Sequence, residues 1–138
     1  MEISNATKKT VVCRHAQVAK GFFRKGLGLM FRKELAKGCG LLMDFSSEGE
    51  GLHSIWMPFM RFPIDIVFIS ADKRVTDVFH DVPPIGLRLR TWKVYAPSAP
   101  VKWILELPAG TTILTKTASE DKLKFSKFKH REFKRKLF

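Results

Sequence analysis

The clearest pattern of hydrophobic and polar positions lies in residues 64–70, where side chains alternate between two faces of a predicted β-strand. Ile64, Ile66 and Phe68 share one face, and Asp65, Val67 and Ile69 share the other. A polar turn at residues 71–73 and a return strand at residues 74–80 complete a predicted β-hairpin. This pattern places one carboxylate, that of Asp65, within an otherwise apolar strand.

The rest of the chain shows similarly short elements. Further strands are predicted at residues 10–13, 41–45, 91–96, 101–107, 111–115 and 122–125, with short helices at residues 16–25 and 32–36. Residues 1–9 are polar and are expected to be loose, while residues 46–53 and 81–91 are expected to form loops. This spacing is typical of a mainly β fold, a small antiparallel β-barrel or sandwich with one or two short helices. We assign residues 1–126 to a single β-rich domain.

The composition excludes several classes of protein. A chain of 138 residues with 45% hydrophobic content can bury a core, which excludes full disorder. No apolar run approaches the roughly 18 residues of a membrane span. The first residues also lack the apolar segment of a secretory signal, so a cytoplasmic location is expected. The two cysteines are too few for a disulfide framework and are expected to stay reduced.

Basic charge is concentrated in a C-terminal tail, residues 127–138. The chain has 25 Lys and Arg against 13 Asp and Glu, a net charge of +12. The cations of the tail are Lys127, Lys129, Arg131, Lys134, Arg135 and Lys136, opposed by Glu132 alone. Phenylalanines lie between them, and this combination suits nucleic-acid phosphates and bases. An anionic membrane surface is a second interpretation, and a solvated tail that binds nothing is a third.

Four blocks of sequence carry a family resemblance. They are Gly-Leu-Met-Phe-Arg at 28–32, Gly-Leu-Leu-Met at 40–43, Trp-Met through Pro-Ile-Asp-Ile-Val-Phe-Ile at 56–69, and Leu-Glu-Leu-Pro-Ala-Gly at 105–110. Together, in this order, they resemble the family called domain of unknown function 192, over residues 10–125. The resemblance implies a compact β-rich single domain and no assigned activity. One departure is Pro58-Phe59-Met60, where many members have Lys-Asn-Thr, and the basic tail lies outside the resemblance.

Two carboxylates stand in apolar surroundings, Asp65 and Glu106. A buried carboxylate is costly unless it is paired or hydrogen-bonded, and Arg32 and Arg61 are the basic residues in or beside the same blocks. One interpretation is a structural ion pair that fixes strand register. The other is an acid and base pair that opens onto one cleft, as in a hydrolase-type enzyme.

A ligand site is predicted from Arg32, Trp56, Met57, Arg61 and Asp65, with Trp56 and Met57 as its apolar wall. Part of the surrounding aromatic and methionine cluster, residues 56–62, is expected to be exposed.

No cofactor is predicted, because the sequence contains no nucleophile elbow, phosphate loop or dinucleotide motif. No metal is predicted either, because the spacing of Cys13, His15, Cys39 and His53 is unlike that of zinc sites. The first hypothesis is therefore a non-enzymatic module that binds a small ligand or a protein partner. The alternative is a nucleic-acid-associated protein that binds through its tail, and an enzyme that uses Asp65 and Glu106 is the third.

Overall fold

The computed structural model describes residues 1–21, 29, 32–57 and 60–127. The secondary structure of this part is built mainly of short strands. They are β1 (Glu2–Asn5), β2 (Thr10–Cys13), β3 (His15–Ala19), β4 (Cys39–Asp44), β5 (Ile55–Trp56), β6 (Ile64–Ile69), β7 (Val75–Val82), β8 (Val94–Tyr95), β9 (Trp103–Pro108) and β10 (Leu123–Ser126). A 3₁₀ turn spans Leu89–Thr91, and a short helix, α1, spans Thr111–Leu114.

A five-stranded sheet with the order β3-β4-β9-β6-β7 forms the centre of the fold. Its strands are antiparallel except for β3 and β4, which run parallel. Every residue of β6 is buried, because apolar layers cover both faces of the sheet. The predicted alternation along residues 64–69 therefore describes two buried faces rather than one buried and one exposed face.

Each face of the central sheet has its own apolar layer. One face packs against the three-stranded sheet β10-β1-β2 through residues such as Ile3, Val67 and Leu105. The other face packs against the two-stranded ribbon β5-β8 through residues such as Ile66 and Tyr95. The predicted mainly β fold is confirmed, and the layers fit the sandwich alternative; the described strands do not close into a barrel.

The helix predicted at residues 16–25 is wrong where it can be compared with the structure. Residues His15–Ala19 form β3, which pairs with β4 from His15↔Cys39 to Ala19↔Met43. Pairing with a strand more than twenty residues away overrides the local helical spacing. Residues 22–25 of that prediction lie outside the described residues.

Three other predictions also need correction. Residues 32–36 are not helical. The strand predicted at residues 111–115 is replaced by α1 (Thr111–Leu114), because Gly110 turns the chain at φ 90° immediately before it. The predicted strand at 91–96 contracts to Val94–Tyr95.

The polar N-terminus is ordered rather than loose. Strand β1 lies between β10 and β2, and its Ile3 is completely buried. Within the described ranges, no helix is long and apolar enough to cross a membrane.

Candidate functional site

Asp65 is completely buried on β6, and its carboxylate accepts three hydrogen bonds. Oδ1 accepts from the backbone N–H of Asp81 at 2.8 Å. Oδ2 accepts from the backbone N–H of Thr112 at 2.9 Å and from its hydroxyl at 2.6 Å. These donors satisfy the carboxylate, so burial requires no cation beside it. The arginine partner expected from the sequence is absent from its described hydrogen bonds.

The contacts of Asp65 hold an irregular part of the sheet. Ile64 pairs with Val82 and Ile66 pairs with Phe79, so His80 and Asp81 together oppose Asp65 in a β-bulge. Asp81 has φ 48°, and its N–H is the one bound by Asp65. The carboxylate therefore joins this bulge to the start of α1.

His80 extends the same network to the surface. Its Nδ1 lies 2.6 Å from Thr112 Oγ1. Because the Thr112 hydroxyl donates to Asp65, the imidazole Nδ1–H donates to Thr112. No sequence pattern indicates this part of the network, since the link depends on how α1 packs against β7.

Glu106 is also buried, but its environment is quite different. It lies on β9, opposite Leu41 of β4 and Ile66 of β6. Its Oε2 has no hydrogen-bond partner among the described residues. Burial raises the pKa of this carboxyl from 4.5 to about 8, although the charge of Arg32 acts in the opposite direction. At neutral pH Glu106 is therefore mainly a neutral acid.

A groove of about 260 Å³ opens over β3 and β4, and β4 pairs with β9, the strand that carries Glu106. It is lined by His15, Gln17, Arg32, Glu34, Leu35, Ala36, Cys39 and Gly40. Cys39 lies on the same face of β4 as Leu41, the cross-strand partner of Glu106. The groove and the Glu106 side chain therefore belong to the same face of the central sheet, on neighbouring strands.

Arg32 supplies the positive charge of the groove. Its Nη1 and Nη2 each donate to Gln17 Oε1 at 3.4 Å, and the side chain is exposed. An exposed guanidinium held by a neutral amide keeps donors available for an anion such as a carboxylate or a phosphate.

Gly40 allows the sheet to pack tightly at this point. A Cβ there would lie 3.0 Å from Cys13 Sγ and 3.1 Å from the backbone oxygen of Glu106.

The two carboxylates do not share a cleft. Ile66 pairs with Glu106 and Asp65 pairs with Leu107, so the register places Asp65 and Glu106 on opposite faces of the sheet. The arrangement required for an acid and base pair between them is not present.

The predicted ligand residues do not converge either. Arg32 lies in the groove, whereas Asp65 faces the opposite layer. Met57 is buried in the core and Arg61 is exposed. Trp56 is 54% exposed on the ribbon, which confirms that part of its cluster reaches the surface. Gln17 and Cys39 also line the groove and were not among the predicted site residues, because their proximity depends on the parallel pairing of β3 with β4.

The tail prediction falls mostly outside the described residues. Lys127 is described and exposed, while Lys129, Arg131, Lys134, Arg135 and Lys136 are not described. No group of three or more potential metal-ligating side chains forms in the described part of the chain.

Comparison with known proteins identifies the family. The model of the family DUF192, described as "Uncharacterized ACR", matches residues 3–125. The chain belongs to this family. A UPF0127 protein of Pyrococcus furiosus is 28% identical over 123 residues, which cover 89% of this chain and 97% of that relative. The DUF192 match includes all the described residues of the groove.

Two solved structures share the fold of this DUF192 chain. One is a candidate transcription regulator from Sinorhizobium meliloti, with a TM-score of 0.74, 24% identity and coverage of 89% of each chain. The other is a protein of unknown function from Novosphingobium aromaticivorans, with a TM-score of 0.74 and 20% identity. The match covers 90% of this chain and 82% of the Novosphingobium chain.

Proposed function

We propose that this DUF192 protein is a non-enzymatic binding module whose groove over β3 and β4, lined by Arg32, takes a small anionic ligand. The observation that carries the proposal is the Glu106 carboxyl, buried with Oε2 unpartnered among the described residues. A buried polar group without a partner costs about 1–3 kcal/mol. A ligand with a hydroxyl or amide group would supply that partner.

The charge of the groove defines the chemistry of the ligand. At neutral pH Glu106 is mainly neutral while Arg32 is positive, so Arg32 attracts an anion. Glu34 also lines the groove, so the anionic group of the ligand should lie at the Arg32 guanidinium and away from Glu34. A carboxylate or phosphate would bind the Arg32 guanidinium, and a neighbouring hydroxyl or amide would reach Glu106. The volume of about 260 Å³ suits a small ligand, since pockets for drug-sized molecules begin at about 300 Å³.

The test is an NMR titration with small hydroxycarboxylates and sugar phosphates, compared with neutral analogues of the same size. Anions should shift the amide signals of Gln17 and Cys39, and Arg32→Gln should abolish the shifts. Lys33→Gln is the matched control, because Lys33 is the neighbouring exposed cation and does not line the groove. The proposal fails if the anions leave these signals unchanged or if the two variants behave alike.

The pH dependence provides a second criterion. Ionisation of Glu106 places a negative charge beside the ligand, so anion binding should weaken as pH rises through about 8. Glu106→Gln cannot ionise, and its affinity should stay constant over the same range.

The tail supports a second proposal, binding of nucleic-acid phosphates by residues 127–138. Its six cations against one acid are the supporting observation. The salt dependence of binding, described in the Discussion, tests it separately from the groove.

A further inference from the structure

The outer face of the β5-β8 ribbon is apolar, although it faces solvent. Trp56 and Val94 are cross-strand partners and are 54% and 65% exposed. Their neighbours Ile55 and Tyr95 point inward and belong to the core. Side chains alternate between the two faces of a ribbon, and when one face is buried the exposed face normally carries polar residues. Here both faces are apolar.

The loop that leads into β8 carries further exposed apolar side chains. Leu87 and Leu89 are almost fully exposed, and Trp92 is 60% exposed. We call the set Trp56, Leu87, Leu89, Trp92 and Val94 the ribbon patch. Several exposed apolar groups on one ribbon and the loop that leads into it mark an interaction site.

Hydrogen bonds within the loop fix the backbone that presents the patch. Thr91 Oγ1 accepts from the Gly86 N–H at 2.9 Å and donates to the Arg88 carbonyl at 2.7 Å. The indole Nε1–H of Trp92 donates to the Gly86 carbonyl at 3.0 Å. The loop therefore satisfies these polar groups itself, while its leucines face outward.

The segment that carries most of the patch has charged residues of a single sign. Residues 82–105 contain no Asp or Glu, and their cations are Arg88, Arg90, Lys93 and Lys102. Arg88 and Lys93 are exposed and flank Leu89 and Trp92 in sequence. An anionic surface would therefore complement the patch without any opposing acid in this segment.

We infer that the ribbon patch docks on an anionic lipid bilayer. Leu87, Leu89 and Trp92 enter the boundary between headgroups and acyl chains, and Arg88 and Lys93 contact the lipid phosphates. Aliphatic side chains beside tryptophan and cations are the composition that such interfaces favour. Nucleic acid is less suited to this surface, because bases stack on aromatic rings and gain little from two exposed leucines.

The experiment is co-sedimentation of the full chain with phosphatidylcholine vesicles, with and without phosphatidylserine. The full chain should bind the phosphatidylserine vesicles, and the double substitution Leu87→Ser and Leu89→Ser should weaken binding about tenfold or more. Leu114→Ser is the matched control. Leu114 is 78% exposed on α1, and Thr112 of that helix contacts the opposite face of the central sheet. Every variant keeps the same C-terminal tail, so attraction by the tail is held constant.

A second measurement detects insertion directly. Brominated acyl chains should quench tryptophan emission of the full chain, and Trp92→Phe should remove a large part of that quenching. Equal vesicle binding by the full chain and the double serine variant would overturn the inference, because charge alone would then explain attachment. It would also be overturned if single-stranded DNA binds in a Trp92-dependent manner while phosphatidylserine vesicles do not bind.

Discussion

Burial of Glu106 makes the free energy of unfolding decrease as pH rises above the ordinary carboxyl range. Its pKa is about 8 in the folded protein and 4.5 in the unfolded chain. Between these values the folded state keeps a proton that the unfolded state has released, so stability falls by about 1.4 kcal/mol per pH unit. The complete loss, reached above about pH 8, is about 5 kcal/mol. That is a large share of the 5–15 kcal/mol typical of a domain, roughly a third or more.

Glu106→Gln tests this reasoning, because glutamine has nearly the shape of the protonated acid and cannot ionise. Urea unfolding should give similar stabilities for both proteins near about pH 5. Near about pH 9 the variant should be more stable by about 5 kcal/mol. Glu50→Gln, a change on an exposed loop, should follow the parent protein at both pH values. If the free energies of unfolding of Glu106→Gln and of the parent change in parallel from about pH 5 to about pH 9, the Glu106 carboxyl does not control the pH dependence of stability.

Three further predictions concern other charged groups. Asp65→Asn should lower the free energy of unfolding by about 3 kcal/mol, because an amide nitrogen would face the donors of Asp81 and Thr112. Urea unfolding measures this loss, and an unchanged midpoint would refute the stabilising role of the Asp65 carboxylate. Burial raises the pKa of Asp121, but hydrogen bonds from Asn5 and Lys8 outweigh it and lower the pKa. Asp121→Asn should therefore destabilise the protein at neutral pH, and the difference should vanish as acid protonates the folded carboxyl below 3.8. If the six tail cations bind single-stranded nucleic acid, log K should fall against log salt with a slope of about −4. Glutamine at all six positions should remove that slope in a fluorescence anisotropy titration. If the salt dependence persists in this variant, the tail is not the site that binds the phosphates.

The sequence predicted the strands that carry Asp65 and Glu106, but it did not predict their relation to each other. Alternation within each strand shows which neighbours share a face. It does not show how two strands are aligned, and a slip of one residue transfers every side chain to the other face. The observed pairing of Ile66 with Glu106 separates the carboxylates. That register depends on contacts between residues forty positions apart.

Local propensity also failed where distant contacts determine the structure. Residues 111–115 are rich in threonine and favour a strand, yet Gly110 at positive φ and the bonds from Thr112 to Asp65 produce α1 instead. Residues 15–19 acquire their strand conformation from β4, which follows more than twenty residues later. The groove beside Arg32 results from the same parallel pairing, so its lining could not be predicted from spacing alone.

Among the described residues three carboxyl groups are buried, those of Asp65, Glu106 and Asp121, and only Glu106 has a buried oxygen without a hydrogen-bond partner. Asp65 accepts three hydrogen bonds and joins a bulge to a helix, and these contacts explain why a carboxylate is buried at this position. Glu106 lies between Leu105 and Leu107, where another leucine would avoid the cost of an unpartnered Oε2. Stability of the fold therefore does not explain why a carboxyl group stands at position 106. The proposed anionic ligand, attracted by Arg32, would supply the hydrogen-bond partner that the described residues do not give to Glu106.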